Sequence, residues 1–120
     1  MKIPEFLLRK LYVRGSLCNT TNGFEFKLKN SLGSGYAIQL LPLRVEGNEI
    51  AIKTTYFSMD QKITPFMDIN EDNPFTLAMN KDIKITVQGN QLNNYDHKIR
   101  MGFIVKGLGT LEFDFTDRAV

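Results

Sequence analysis

The chain has 120 residues, 42% hydrophobic and 23% charged, with a formal net charge of +2. That length suits one domain able to bury a core unaided; the composition excludes an extended disordered chain, and the charge lacks the concentrated basic excess of a dedicated nucleic-acid binder. Cys18 is the single cysteine, so no intrachain disulfide can form, which fits a reducing compartment.

From Met1 to Leu11, Pro4 and Glu5 precede Phe6-Leu7-Leu8, and Arg9-Lys10 end the apolar run. The run is too short for a signal peptide or a membrane span, so a cytoplasmic location without a membrane partner is expected. Asn19-Thr20-Thr21 fits a glycosylation acceptor, and without an export signal it reads as coincidence. Leu7 to Val13 followed by Ser16-Leu17-Cys18 predicts a strand kinked at Gly15. Asn22-Gly23 then supplies the positive φ values of a tight turn, and Phe24, Phe26 and Leu28 alternate with Glu25, Lys27 and Lys29 as a partner strand.

Asn30 to Gly35 is a small-residue loop. Tyr36, Ile38 and Leu40 alternate as the apolar face of the next strand until Pro42 removes a ladder donor. Leu43 and Val45, a turn at Glu46-Gly47-Asn48-Glu49, and then Ile50, Ile52, Thr54 and Tyr56 predict a second hairpin. The rhythm fails from Ser58 to Pro74, which predicts a long loop with one helical turn around Pro65 to Ile69. Asp82 to Gln88 is a strong strand, with Ile83, Ile85 and Val87 on one face. After a turn over Gly89 to Asp96, His97 to Lys106 sets Ile99, Met101, Phe103 and Val105 toward a core. Gly107 and Gly109 bracket the last turn before Leu111, Phe113 and Phe115. The sum is a single domain over residues 1–120, an all-β antiparallel sandwich of about eight strands, immunoglobulin-like or jelly-roll-like, with no convincing helix.

Reactive groups are sparse. His97, the single histidine, is expected half-exposed at a strand start. Cys18 reads as a small core or half-buried residue, and no Gly-x-Ser-x-Gly elbow exists. Asp68, Asn70 and Asp72 place oxygen ligands at alternate positions, as at the opening of a calcium loop. Asn73, however, stands where the bend needs glycine, and Met79 replaces the closing carboxylate. A solvated acidic loop is therefore expected, with no metal, no cofactor and no catalytic residues. Gly33-Ser34-Gly35 lacks the lysine and following helix of a phosphate loop. The basic residues are interleaved with acids, which argues against nucleic acid. Were several of them to share a face with Tyr12, Tyr36 or Tyr95, an oligonucleotide-binding barrel would be the alternative.

Leu8-Arg9-Lys10-Leu11-Tyr12-Val13-Arg14-Gly15-Ser16-Leu17, followed by Gly23-Phe24-Glu25-Phe26-Lys27-Leu28-Lys29-Asn30, resembles the opening of a group of short, largely archaeal proteins. Some members carry the name hydroxymethylglutaryl-CoA reductase. No position here supplies that enzyme's Glu, Lys, Asp and His constellation or its nicotinamide site, so none of those roles is carried over. More distantly, Gly23 to Phe26, Leu43 to Asn48, Ile83 to Val87 and Leu92 to Ile99 are similar in order to the small β-sandwich subunit of C-glycoside deglycosidases. This chain has Ser31-Leu32 where that family often has an aromatic pair. The resemblance implies a non-catalytic companion of a barrel subunit that holds the metal and catalytic residues.

The expected function is that of an accessory subunit associating with itself or with a larger catalytic partner. Gly33, Tyr36, Asp68, Glu71, Asp72 and His97 form the expected interaction surface. The alternative is a small ligand-binding or hydrolytic sandwich acting through the acidic 68–72 loop and His97.

Overall fold

The computed structural model describes residues 3–33 and 35–120. Met1 and Lys2 of the expected opening segment, and Ser34 of the expected 30–35 loop, lie outside the described residues. In chain order, a short helix α1 (Glu5–Leu8) leads to β1 (Cys18–Thr20), β2 (Gly23–Lys29), β3 (Gly35–Leu40), β4 (Arg44–Val45), β5 (Asn48–Glu49) and β6 (Thr55–Met59). There follow β7 (Lys62–Pro65), β8 (Phe75–Leu77), β9 (Asp82–Gln88), β10 (Asp96–Val105) and β11 (Gly109–Arg118).

These strands form two antiparallel sheets packed as a sandwich. The first has the order β1-β2-β9-β6-β7. The second is built on β10, which pairs along its whole length with β11 on one side. On its other side β10 is shared by β4 and β3, which carry β5 and β8 outward. The alternation has the cause read from the sequence. Phe26, Ile85 and Phe57 are in register across β2, β9 and β6 and are buried; Met101 and Phe113 are in register across β10 and β11 and are buried against them. Each such side chain contributes about 1.5–3 kcal/mol by leaving water. Among the described residues no helix is long and apolar enough to cross a membrane.

Several expectations are corrected. Residues Glu5 to Leu8 are helical and Arg9 to Leu11 form a 3-10 turn, not a strand. Beyond them Tyr12 bridges Leu28, and the Val13 N–H donates to the Lys27 carbonyl at 3.0 Å. The expected kinked strand therefore survives as two pieces along β2, Tyr12–Val13 and Cys18–Thr20, separated by a bend at Gly15 (φ 86°). The first turn is Thr21-Asn22 rather than Asn22-Gly23, because Thr20 pairs with Gly23. Gly23 still has to be glycine: at φ 153° an added Cβ would lie 2.0 Å from the Val87 carbonyl oxygen.

In β3 the buried residues are Ala37 and Leu40, not Tyr36, Ile38 and Leu40. Gln39 pairs with Ile104 while Ala37 pairs with Val105, so Ile38 is an extra residue and reverses the phase. The Ile50 to Tyr56 strand is broken by a 3-10 turn over Ile52–Thr54. The Ser58 to Pro74 loop holds the helical turn, at Phe66–Asp68, and also the β6–β7 hairpin. Its turn, Asp60-Gln61, has φ 53° and 68°.

The long free edge of β11 is covered by the N-terminal segment. Arg9 Nε donates to the Asp114 carbonyl at 2.7 Å, and Asp117 accepts from the Gly15 N–H at 2.8 Å. Tyr12 stacks on Phe115 at 3.7 Å and meets Phe26 edge-on, tying both sheets at this seam. The other seam is crossed by residues 66–74, with Phe66 and Ile69 buried beneath it.

Candidate functional site

Three regions carry the polar chemistry and a fourth is apolar. On the outer face of the second sheet, Arg100 donates to Glu112 (3.1 Å) and Asp114 (3.2 Å) and stands 3.6 Å from Glu5. Arg9 pairs with Glu5 and Asp114 at 2.9 and 3.4 Å. Burial works against the Arg100 cation, and the surrounding Glu112, Glu5 and Asp114 outweigh it, raising its pKa above the ordinary arginine value. Two open depressions of about 410 and 280 Å³ flank the Arg100–Glu112 pair. Gly102 lines the smaller of them, and a Cβ there would meet Glu112 Cγ at 2.8 Å. Among the described residues, the charges on this face compensate one another.

His97 is 4% exposed, not half-exposed. It occupies the inward phase of β10, two residues before Ile99. Its Nδ1 lies 2.5 Å from Glu46 Oε1 and its Nε2 lies 3.0 Å from the Asn93 carbonyl oxygen, with Tyr95 stacked on the ring at 4.4 Å. Glu46 sits in the two-residue β4–β5 turn at φ 52°, and its other oxygen accepts the Lys98 N–H at 3.3 Å. The imidazole thus clips this hairpin to the 89–95 connection. The sequence reading missed Glu46, which lies 51 residues away.

The 68–72 loop folds on itself. Asn70 Oδ1 accepts the N–H groups of Asp72 and Asn73 at 2.8 and 3.0 Å, and Asn73 Nδ2 donates to the Asp68 carbonyl at 3.0 Å. Asp68, Glu71 and Asp72 point to solvent as exposed residues. The polar partners of the His97 ring are Glu46 and Asn93, not these carboxylates. Among the described residues no three His, Cys, Asp or Glu side chains gather closely enough to hold a metal ion.

Gly33 and Tyr36 belong to a fourth region, an apolar cleft of about 90 Å³ at one end of the sandwich. Leu8, Leu11, Phe103 and Leu111 form its buried floor, and Leu32, Tyr36 and Leu108 border it at 37%, 45% and 39% exposure. The tyrosines considered for base stacking are dispersed: Tyr12 in the core, Tyr36 at this cleft, Tyr95 on His97.

These features define a small antiparallel β-sandwich domain with an apolar cleft. The family profile described as "Hydroxymethylglutaryl-CoA reductase, N-terminal domain" matches residues 7–120, and the chain belongs to that family. No curated protein matches it.

Proposed function

We propose that the chain is a non-catalytic accessory domain that packs against a larger catalytic chain through the cleft bordered by Leu32, Tyr36 and Leu108. The carrying observation is that three large, exposed apolar side chains border one cleft; scattered singly they would mean nothing, but gathered they mark a contact. The family description, the N-terminal domain of a reductase, supports a place beside a catalytic unit. The distant resemblance to deglycosidase small subunits points the same way. Cys18, without a disulfide partner, goes with a reducing, cytoplasmic setting for this role.

The test is binding of the full chain to a hydroxymethylglutaryl-CoA reductase catalytic chain, followed by calorimetry. Tyr36→Asp or Leu108→Asp should weaken the complex about tenfold or more, since a buried charge at a contact centre is poorly tolerated. Equal affinity for the parent and both variants would remove the cleft from consideration, as would absence of a complex.

A further inference from the structure

Both ring nitrogens of His97, the single histidine of the chain, face acceptors. Nδ1 lies 2.5 Å from Glu46 Oε1 and Nε2 lies 3.0 Å from the Asn93 carbonyl oxygen. A neutral imidazole donates from one nitrogen only, so its other lone pair would be aimed at an oxygen; an imidazolium donates from both. The second Glu46 oxygen accepts the Lys98 N–H at 3.3 Å, so Glu46 acts as an acceptor throughout. Tyr95 lies over the ring, 4.4 Å between centroids and 27° from parallel, and an aromatic face so placed attracts a cation.

The surrounding charges suit the cation too. From β11, Asp117 stands in register with His97, held by the Tyr12 hydroxyl and the Gly15 N–H and acted on by Arg14. The cations on β10 and β11 are engaged elsewhere: Lys98 Nζ lies 3.7 Å from Asp114, and Arg118 lies 3.5 Å from Asp96. From β1 comes the uncharged Asn19, which binds the Leu92 carbonyl and N–H at 2.9 and 2.8 Å, while Gln91 Nε2 donates to the Thr20 carbonyl at 2.6 Å. The first half of the 89–95 connection is thus tied to β1, and its second half is tied to β10 through the imidazole.

We propose that His97 is a pH-operated clasp: as an imidazolium it holds the β4–β5 turn and the 89–95 connection together, and on losing one proton it keeps the turn and releases the connection. The proton that leaves is the one on Nε2, which passes to water beside the exposed Asn93, because the Nδ1–H bond to a carboxylate is the stronger of the two. The bare Nε2 then faces the Asn93 carbonyl oxygen, the stretch from Asn93 to Tyr95 lifts away, and Tyr95 no longer covers a cation. The turn stays, since Nδ1–H still holds Glu46 and the Glu46 N–H still donates to the Lys98 carbonyl at 2.9 Å. The sign follows: the clasp is whole at lower pH and opens as pH rises.

Nuclear magnetic resonance of the full chain with nitrogen-15 histidine, followed from acid to mildly alkaline pH, tests this on one imidazole. Both ring nitrogens should carry protons at the acid end, and Nε2 should be the one that loses its proton as pH rises. The contact between the Tyr95 and His97 rings should fade at the same midpoint, while the Glu46 and Gly47 amide signals hold. In Glu46→Gln a neutral ring is satisfied, with Nε2–H on Asn93 and Nδ1 accepting from the new amide. There the bare nitrogen should switch to Nδ1, and the Tyr95 contact should persist across the range. Circular dichroism checks that this variant is folded, and the parent titration decides without it. A parent ring with a bare nitrogen at the acid end, one that sheds the Nδ1 proton instead, one that keeps both protons until the chain unfolds, or a Tyr95 contact indifferent to the ring's charge would each overturn the proposal.

Discussion

Tyr12 is the side chain on which the N-terminal segment turns. Its ring is stacked on Phe115, its hydroxyl donates to Asp117 Oδ2 at 2.8 Å, and the same oxygen accepts the Leu17 N–H at 3.2 Å. Burial first, then the bond to Asp117 and its charge, push the Tyr12 hydroxyl up to about 12 from its ordinary 10.0. The unfolded chain would ionise at the ordinary value, so the stability held in this node is whole below that pH and is lost as pH climbs through about 12. An alkaline titration followed by tyrosinate absorbance should show one of the four tyrosines ionising last. In Asp117→Asn that tyrosine should ionise earlier, yet still late, because burial remains. At Asp117, burial works to raise the carboxyl, but the Gly15 N–H, the Tyr12 hydroxyl, the Arg118 N–H and the Arg14 charge together hold it below its ordinary 3.8. The sign is opposite: this contribution is present above the ordinary value and is lost as pH falls through the depressed one. Tyr12→Phe should cost about 1–3 kcal/mol in urea denaturation, because it leaves the buried Leu17 N–H without an acceptor.

At the scale of elements, Gly23 sets where β2 begins. Its φ of 153° and the 2.0 Å approach of the Val87 carbonyl leave no room for a methyl group. Gly23→Ala should lower the melting temperature more than Gly47→Ala, whose added methyl meets nothing although its φ of 81° is also left-handed. What could be read in the sequence follows the same physics. β2, β9, β10 and β11 each bury one face and wet the other, so the two-residue period marks them. α1 spans four residues behind Pro4 with no side-chain cap, too short for a 3.6-residue period to register. The Asp60-Gln61 turn carries positive φ without glycine, so no residue type announced the β6–β7 hairpin. The extra residue at Ile38 moved the buried phase of β3, and alternation read alone cannot see a bulge. Gly33 and Tyr36 were singled out for their loop, but their cleft is completed by Leu108 and Phe103, placed there only by β10–β11 pairing. The link from His97 to Glu46 is likewise tertiary, because it depends on β4 lying beside β10.

For the molecule as a whole, the two sheets are joined by different means at their two seams. On one side residues 66–74 cross over, and on the other the N-terminal segment lies along β11 with Arg9, Tyr12 and Gly15 as its attachments. Phe26, 0% exposed and in contact with Tyr12 and Phe115, sits at the centre of that second seam. Phe26→Ala should cost about 3–5 kcal/mol, and chemical denaturation should show it as a shift in midpoint. The shared attachment also makes seam and core cooperative, so Tyr12→Phe and Phe26→Ala together should depart from additivity in a double-mutant cycle.

Ten residues of β11 would otherwise leave a row of backbone donors and acceptors open to any passing polypeptide. Arg9 and the turn around it act as a selvedge on this cloth, hemming the ladder before a stranger can be woven in. Loosen the hem with Arg9→Ala and Tyr12→Ala, and the protein should become a seed for fibrils, which thioflavin fluorescence would report before any loss of secondary structure.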